Sequence, residues 1–346
     1  MISLGLIGFG RVGRTLLRVL LQRERAHGLV CLTELNPAGR DAAELTANLA
    51  YLLAHDSTYG PLPAAVSAVG DRLLVDGREI RCFYSADPAQ VDWDAAGVRV
   101  VVEASGDPAA AQAAASLLQR GVAKVVFTRS APVSHATLVR GINLDQYDPA
   151  RHHLVSCSTC TANALAPVLS LLQRAFGVSR AGVTTVHPAL SGDTLLDRPA
   201  AEFALGRSGL GVRAAASGIA DTVGKLLPEL DGRISAMSLR VPTASVNAIV
   251  ADILLERPPA STAAVVDQLE QAAAGDLAGV MRLEPGFLGR ARVAEDFKSD
   301  PHSAVVDLCW LELAGPLLRL VIWHDNEWAY CQRVADVIDT VSASLG

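Results

Sequence analysis

At 346 residues the chain exceeds what one hydrophobic core usually serves, so two domains are expected. Half the residues are apolar, aromatics are few and the formal net charge is −6, which suits an Ala/Val/Leu-rich α/β protein and offers no basic surface to a nucleic-acid backbone. No run approaches about 18 uninterrupted apolar residues, Gly8 and Gly10 break any signal-peptide core, and the cysteines at 31, 82, 157, 160, 309 and 331 suit reduced thiols, so the expectation is a cytoplasmic chain without a membrane span.

Leu4 to Ile7 reads as a strand. Gly8-Phe9-Gly10-Arg11-Val12-Gly13 follows, then an amphipathic helix through Leu16, Leu17, Leu20 and Leu21. This is G-x-G-x-x-G in a strand–turn–helix setting, where the glycines allow a tight turn, close approach of a pyrophosphate and close helix–strand packing. The next strand, Leu29 to Thr33, ends in Glu34, where the fingerprint places an acid for ribose hydroxyls. A carboxylate there repels a 2′-phosphate, so NAD is favoured over NADP. Short apolar runs at 73–75, 98–102, 124–128 and 153–158 alternate with turn or helix signals. They predict a doubly wound, mainly parallel sheet, with ligand contacts at carboxyl ends such as Ser105 and Thr128. Either of these is equally an ordinary turn residue.

Ser156-Cys157-Ser158-Thr159-Cys160-Thr161 joins an apolar run to a segment with helical spacing (Leu165, Val168, Leu169, Leu172, Phe176) that stops at Gly177. A cysteine at a helix start meets backbone N–H groups and the positive end of the dipole, so Cys160 is placed to be a thiolate near neutral pH. It could equally be a small buried hydrophobe capping a core helix. Val183 to His187 reads as a strand, and 188–213 as a long excursion without clear period. Ala214 to Leu227 and Ala263 to Ala274 read as helices; Ile234 to Val241, Val246 to Leu255, Val305 to Glu312 and Leu317 to Trp323 read as strands. Consecutive strands without alternating helices predict an α+β domain on an antiparallel sheet. The expected division is 1–159, joined by a C-terminal helix over 326–346, and 160–325.

The motifs resemble those of the glyceraldehyde-3-phosphate dehydrogenase family, including its erythrose-4-phosphate dehydrogenase branch, nearly end to end. They include Gly8-Phe9-Gly10-Arg11-Val12-Gly13-Arg14, Asp56-Ser57-Thr58-Tyr59-Gly60, Thr184-Thr185-Val186-His187, Arg240-Val241-Pro242-Thr243 and Trp323-His324-Asp325-Asn326-Glu327-Trp328. The resemblance implies a Rossmann NAD-binding domain followed by a catalytic domain. Cys160 matches the nucleophile, His187 its general base and Asn326 the residue that orients the nicotinamide carboxamide. Thr159, Thr161, Ser217, Gly218 and Arg240 match positions lining anion sites. Gly8, Gly10, Arg11, Val12, Gly13, Glu34, Ser105 and Thr128 complete the expected NAD contacts, and no metal set is expected. The resemblance also implies a homotetramer, with the 188–213 excursion lying between subunits near the cofactor.

A thiolate both attacks an aldehyde carbonyl and leaves again, and an imidazole sets its protonation. Oxidation by NAD then gives a thioester that phosphate or water resolves. The chain departs from the family pattern at informative points: Cys157-Ser158 replaces an Asn-Ala pair, Ile7 stands for an Asn, and Leu190 stands where glycolytic members place a threonine on the substrate phosphate. Three readings follow. They are glyceraldehyde 3-phosphate oxidation with phosphate as acyl acceptor, erythrose 4-phosphate oxidation with water as acceptor, and a catalytically weak NAD-binding redox sensor using Cys157-x-x-Cys160.

Overall fold

A nine-stranded sheet organises the first of two units in a computed structural model, which describes residues 2–25, 28–36, 39–190, 192–200, 202–207 and 209–346. This unit comprises Met1–Thr159 together with Cys331–Gly346; the second comprises Cys160–Tyr330. In chain order the first unit holds β1 (Leu4–Ile7), α1 (Arg11–Gln22), β2 (Leu29–Glu34), α2 (Ala42–Ala54), the small hairpin β3 (His55–Asp56) and β4 (Gly60–Pro61), then β5 (Val66–Val69), β6 (Arg72–Val75) and β7 (Arg78–Tyr84). After these come β8 (Val100–Glu103), α3 (Pro108–Ala115), β9 (Lys124–Phe127), β10 (Ala136–Thr137) and β11 (Leu154–Ser156).

The sheet order is β10-β11-β9-β8-β1-β2-β7-β6-β5. Pairs from β10 through β7 are parallel, and β7/β6 and β6/β5 are antiparallel. The sheet is therefore doubly wound, with its topological switch between β1 and β8, where an open α/β sheet binds its ligand. The 73–75 run does not belong to the alternating pattern. It lies in an antiparallel meander turned by Asp76-Gly77, both at positive φ (47° and 76°), a type I′ hairpin signature. Central strands β1, β8 and β9 are buried along their whole length, as a sheet covered on both faces requires.

The second unit holds α4 (Cys160–Phe176), β12 (Val178–Pro188), β13 (Arg213–Ala216), α5 (Ile219–Leu226), β14 (Ile234–Val241), β15 (Asn247–Leu255), α6 (Thr262–Ala274), β16 (Met281–Glu284), β17 (Ala304–Ala314), β18 (Leu317–His324) and the start of α7 (Trp328–Ala343). Its seven strands run β13-β14-β12-β15-β18-β17-β16. The β12/β14 and β16/β17 pairs are parallel, and the others are antiparallel. Helix α4 touches β12, β15, β17 and β18 as well as α5 and α6. Its Leu165, Val168, Leu169 and Leu172 are fully buried, and Leu169→Ala would cost about 2–5 kcal/mol by leaving a cavity.

Two further expectations need correcting. Ala214 to Leu227 is not one helix: Arg213–Ala216 pairs antiparallel with β14, and the helix begins only at Ile219. Alanine is the best helix former, but pairing of Ala214 with Leu239 and Ala216 with Met237 overrides that preference. The last helix starts at Trp328 rather than 326, because Asp325 Oδ1 accepts from the backbone N–H groups of Glu327 (3.0 Å) and Trp328 (2.9 Å) and caps it. Within the 188–213 excursion, Ser191, Ala201 and Ser208 lie outside the described residues. Among the described residues no helix is long and apolar enough to cross a membrane.

Candidate functional site

In the first unit, Gly8, Gly10, Glu34 and Ser105 line one cleft at the sheet's switch point, with Ile7, Thr33 and Asp107 also on its wall. Gly8 (φ 86°) leaves no room for a side chain, since a Cβ there would lie 2.5 Å from the Ser105 backbone. A Cβ on Gly13 would lie 2.3 Å from the Gly8 carbonyl oxygen, so this glycine permits the helix to pack on its strand. A Cβ on Gly10, by contrast, would meet nothing within 4 Å, so the backbone here is open to a ligand. Arg11 and Val12 form the first turn of α1, which carries neither a side-chain cap nor an acidic residue. Its N–H groups and dipole therefore favour an external anion such as a pyrophosphate.

Glu34 is tied into the same turn: its Oε2 accepts from Phe9 N–H (2.6 Å) and its Oε1 from Leu35 N–H (2.8 Å). These features fit a dinucleotide. Ser105 donates its backbone N–H (2.9 Å) and its hydroxyl to the Glu103 carboxylate, whose pKa is raised by burial. Thr128 sits at the end of β9 and donates to the Glu103 carbonyl (3.0 Å); it is not among the residues lining the cleft.

In the second unit, Cys160 opens α4, two residues after Ser158, which adopts the left-handed conformation (φ 61°) that lets the chain turn sharply. The Cys160 thiol lies 3.8 Å from the Thr161 hydroxyl. Burial raises its pKa, and this outweighs the Thr161 hydroxyl, local backbone N–H groups and the Arg240 charge, which all lower it. The expectation of a ready thiolate is not met at this helix start: burial favours the protonated thiol. Cys157 is fully buried, and burial pushes its thiol pKa up as well. Both cysteines are free thiols.

His187 is buried near the end of β12, and its Nδ1 lies 2.8 Å from the Pro188 carbonyl oxygen. A carbonyl can only accept, so this contact favours the neutral tautomer with its proton on Nδ1, in which Nε2 carries the lone pair. Arg240 is its cross-strand partner on β14, and Arg213 on β13 is the partner of Arg240. On the other side, the β12/β15 ladder pairs Val186 with Ala248, so its next step sets His187 beside Asn247, which pairs with His324 on β18. Side chains in register share a face. One row therefore reads Arg213, Arg240, His187, Asn247, His324.

Arg213 Nη2 pairs with Asp193 Oδ1 at 3.0 Å, the two side chains being 14% and 2% exposed. Arg213 Nε and Arg240 Nε and Nη1 are buried without a hydrogen-bond partner, as is Asn326 Oδ1 in the turn before α7. Ser217 and Gly218 form the turn into α5, where Ser217 Oγ accepts from Ile219 N–H (3.4 Å). Thr159 is the last residue before α4. Sequence reasoning did not place Arg213, Asp193, Asn247 or His324 in the site; only register across five strands brings this row together, and register is not a local signal.

Residues 2–110 match the family described as glyceraldehyde 3-phosphate dehydrogenase, NAD binding domain, and residues 159–326 match glyceraldehyde 3-phosphate dehydrogenase, C-terminal domain. Similar proteins include the glyceraldehyde-3-phosphate dehydrogenase of Priestia megaterium, 33% identical over 99% of this chain and 98% of that protein. They also include glyceraldehyde-3-phosphate dehydrogenase 1 of Bacillus subtilis, 33% identical over 97% of each chain, and the enzyme of Geobacillus stearothermophilus, 34% identical over 97% of each.

Proposed function

The chain belongs to the glyceraldehyde-3-phosphate dehydrogenase family and is an NAD-dependent oxidoreductase, and we propose that it oxidises a phosphorylated aldehyde, glyceraldehyde 3-phosphate, with inorganic phosphate as acyl acceptor. The observation that carries the substrate class is the half-buried Arg240, with two unpartnered guanidinium nitrogens, in register with His187 and near enough to Cys160 to act on its thiol. Arg213 adds a second guanidinium beside it, and Asp193 neutralises one charge, leaving a net positive site for an anion.

Gly8, Gly10, Arg11, Val12, Gly13, Glu34 and Ser105 would hold NAD, which when bound would supply the hydride acceptor. His187 Nε2 takes the thiol proton of Cys160, whose sulfur adds to the aldehyde carbon. Burial pushes the thiol pKa up, which favours a base at this sulfur. His187 returns that proton to the former carbonyl oxygen as the thiohemiacetal forms and takes it back when this carbon is oxidised, so the carbon stays on Cys160 as a thioester. Thr159, Thr161, Ser217 and Gly218 offer donors to the phosphate that attacks it.

Leu190, which is exposed and supplies no side-chain hydrogen bond, favours a second reading: erythrose 4-phosphate as substrate, with water as acceptor. Steady-state kinetics on both aldehydes, with and without inorganic phosphate, separate the two. The first reading expects NADH formation from glyceraldehyde 3-phosphate to collapse when phosphate is removed. Phosphate-independent turnover of erythrose 4-phosphate would replace it with the second.

A further inference from the structure

Strand β8 reads Val100-Val101-Val102-Glu103 and is buried along its length, so an acid closes an otherwise apolar strand. Glu103 is 0% exposed and lies between Ile7 on β1 and Phe127 on β9. Its Oε1 accepts from the Ser105 backbone N–H (2.9 Å) and from the Ser105 hydroxyl. The same hydroxyl oxygen accepts from Asp107 N–H (3.1 Å), and Asp107 Oδ1 caps α3 by accepting from Ala109 N–H (2.9 Å). One chain of hydrogen bonds therefore runs from Glu103 through Ser105 and Asp107 to α3. Ser105 and Asp107 stand on the wall of the cofactor cleft, and Ser105 abuts the glycine turn: a Cβ on Gly8 would lie 2.5 Å from Ser105 Cα and 2.7 Å from its nitrogen. The one hydroxyl proton of Ser105 is spent on Glu103, so this side chain has none left to donate to a ligand. We propose that Glu103 is a positioning residue for NAD, which through Ser105 fixes the 105–107 turn against the glycine turn where the cleft receives the cofactor.

Stability alone does not account for an acid here. Glu103 Oε2 is buried with no hydrogen-bond partner among the described residues, and an unpaired buried oxygen works against folding. A fourth valine would continue the strand without that cost, but it would leave the Ser105 turn unheld. The other side of the turn is tied by Arg129, whose Nη1 donates to the Gly106 carbonyl (2.9 Å). The Glu103 backbone carbonyl also accepts from the N–H and the hydroxyl of Thr128 (3.0 Å each), so the acid is itself fixed to the end of β9. Burial raises the Glu103 pKa, and the two Ser105 bonds and the Arg129 charge act against this without cancelling it. The carboxyl therefore leans toward its neutral form, which adds no negative charge to a cleft that takes an anion.

The proposal rests on NAD occupying the cleft at the sheet's switch point, and its test separates the two claims. Dissociation constants for NAD are measured by fluorescence titration, beside the thermal midpoint of every variant. Gly10→Val tests the cleft, because a Cβ there would meet nothing within 4 Å and a larger side chain takes the room of a ligand. An unchanged constant in that variant removes the cleft and the proposal together. Glu103→Leu loses both Ser105 bonds and is expected to weaken NAD about tenfold; Ser105→Ala keeps the backbone bond and is expected to weaken it about threefold. Glu103→Gln keeps the acceptor in a neutral group and should stay within about twofold of wild type. Glu103→Leu combined with Ser105→Ala should bind no more weakly than Glu103→Leu alone, because both act through one chain of bonds. An unchanged constant in Glu103→Leu with Gly10→Val still weak overturns the positioning role alone, and so do equal losses in Glu103→Gln and Glu103→Leu. If Glu103→Leu does not fold, Ser105→Ala decides by itself. A lowered thermal midpoint with an unmoved constant counts against the proposal, because a purely structural acid would give that result.

Discussion

Arg213→Met removes a guanidinium while keeping its apolar stem, and two effects should separate. Arg213 and Asp193 form an ion pair at 3.0 Å with the carboxylate almost fully buried. Removing the cation takes away that carboxylate's closest ion-pair partner, leaving it the Leu190 N–H (2.8 Å) and the longer-range charge of Arg240. Stability should fall by about 3 kcal/mol, as for other buried pairs broken on one side. Adding Asp193→Asn removes the uncompensated charge and should restore most of it. Activity should not follow. A charge-assisted hydrogen bond to a substrate phosphate contributes about 1.5–3 kcal/mol, so kcat/KM for a phosphorylated aldehyde should drop about 10- to 100-fold in both the single and the double variant. For the unphosphorylated aldehyde the loss should be less than about twofold, since no anion is recognised. The assay is NADH formation with both substrates, beside urea denaturation of all variants. Equal losses on the two aldehydes, or activity that returns with Asp193→Asn, would refute an anion-binding role for Arg213.

Glu34→Gln keeps an acceptor for Phe9 N–H but removes the charge, so the ratio of NADP to NAD dissociation constants should shrink about tenfold, and an unchanged ratio would count against Glu34 as the discriminator. For Asp300, burial alone would raise the pKa, but hydrogen bonds from His302 and Arg282 overcome it and bring it from 3.8 down to about 2. Its stabilisation of about 2 kcal/mol is therefore present above pH 4 and lost as pH falls toward 2, so Asp300→Asn should be less stable at pH 7 and converge with wild type over that window in urea melts. Leu195, Leu196 and Phe203 (92% exposed) in the 188–213 excursion should be covered in a homotetramer; light scattering on Phe203→Ser should show smaller species, and a monomeric wild type would remove the idea. Because Cys157 is a buried thiol with a raised pKa, peroxide inactivation and its recovery by reductant should be the same in Cys157→Ser; a switch to irreversible loss would revive a resolving role.

The parts of the fold that could be read from the chain are those set by local pattern. Leu4–Ile7, the glycine turn, α1 and Leu29–Glu34 stand where apolar runs and the G-x-G-x-x-G spacing put them, because a strand buried on both faces needs an unbroken apolar run. The misread segments are those where two patterns compete. Arg213–Ala216 is alanine-rich and carries no period of its own, so its partner strand decides its state. The meander around Arg72–Val75 did carry a local sign in Asp76-Gly77, but its apolar run was counted as one more parallel strand. The short edge strand Met281–Glu284 is flanked by turns and too brief to show alternation.

The site divides in the same way. Glu34 and Cys160 are marked by their place beside a turn and a helix start, whereas the row from Arg213 to His324 exists only through pairing between strands far apart in the chain. Cys160 shows why position alone is not enough. Its place at the start of α4 argues for a thiolate, and a helix dipole does favour one, by about 0.3–1 kcal/mol at an exposed terminus. Burial acts against the charged form and can move a pKa by several units, about 1.4 kcal/mol each. Here burial is the larger influence, and neither the Thr161 hydroxyl nor the Arg240 charge reverses it. In the proposed mechanism, activation of the thiol therefore falls to an imidazole from another strand. On that mechanism the groups around His187, rather than the helix that carries Cys160, would set the reactivity of the thiol.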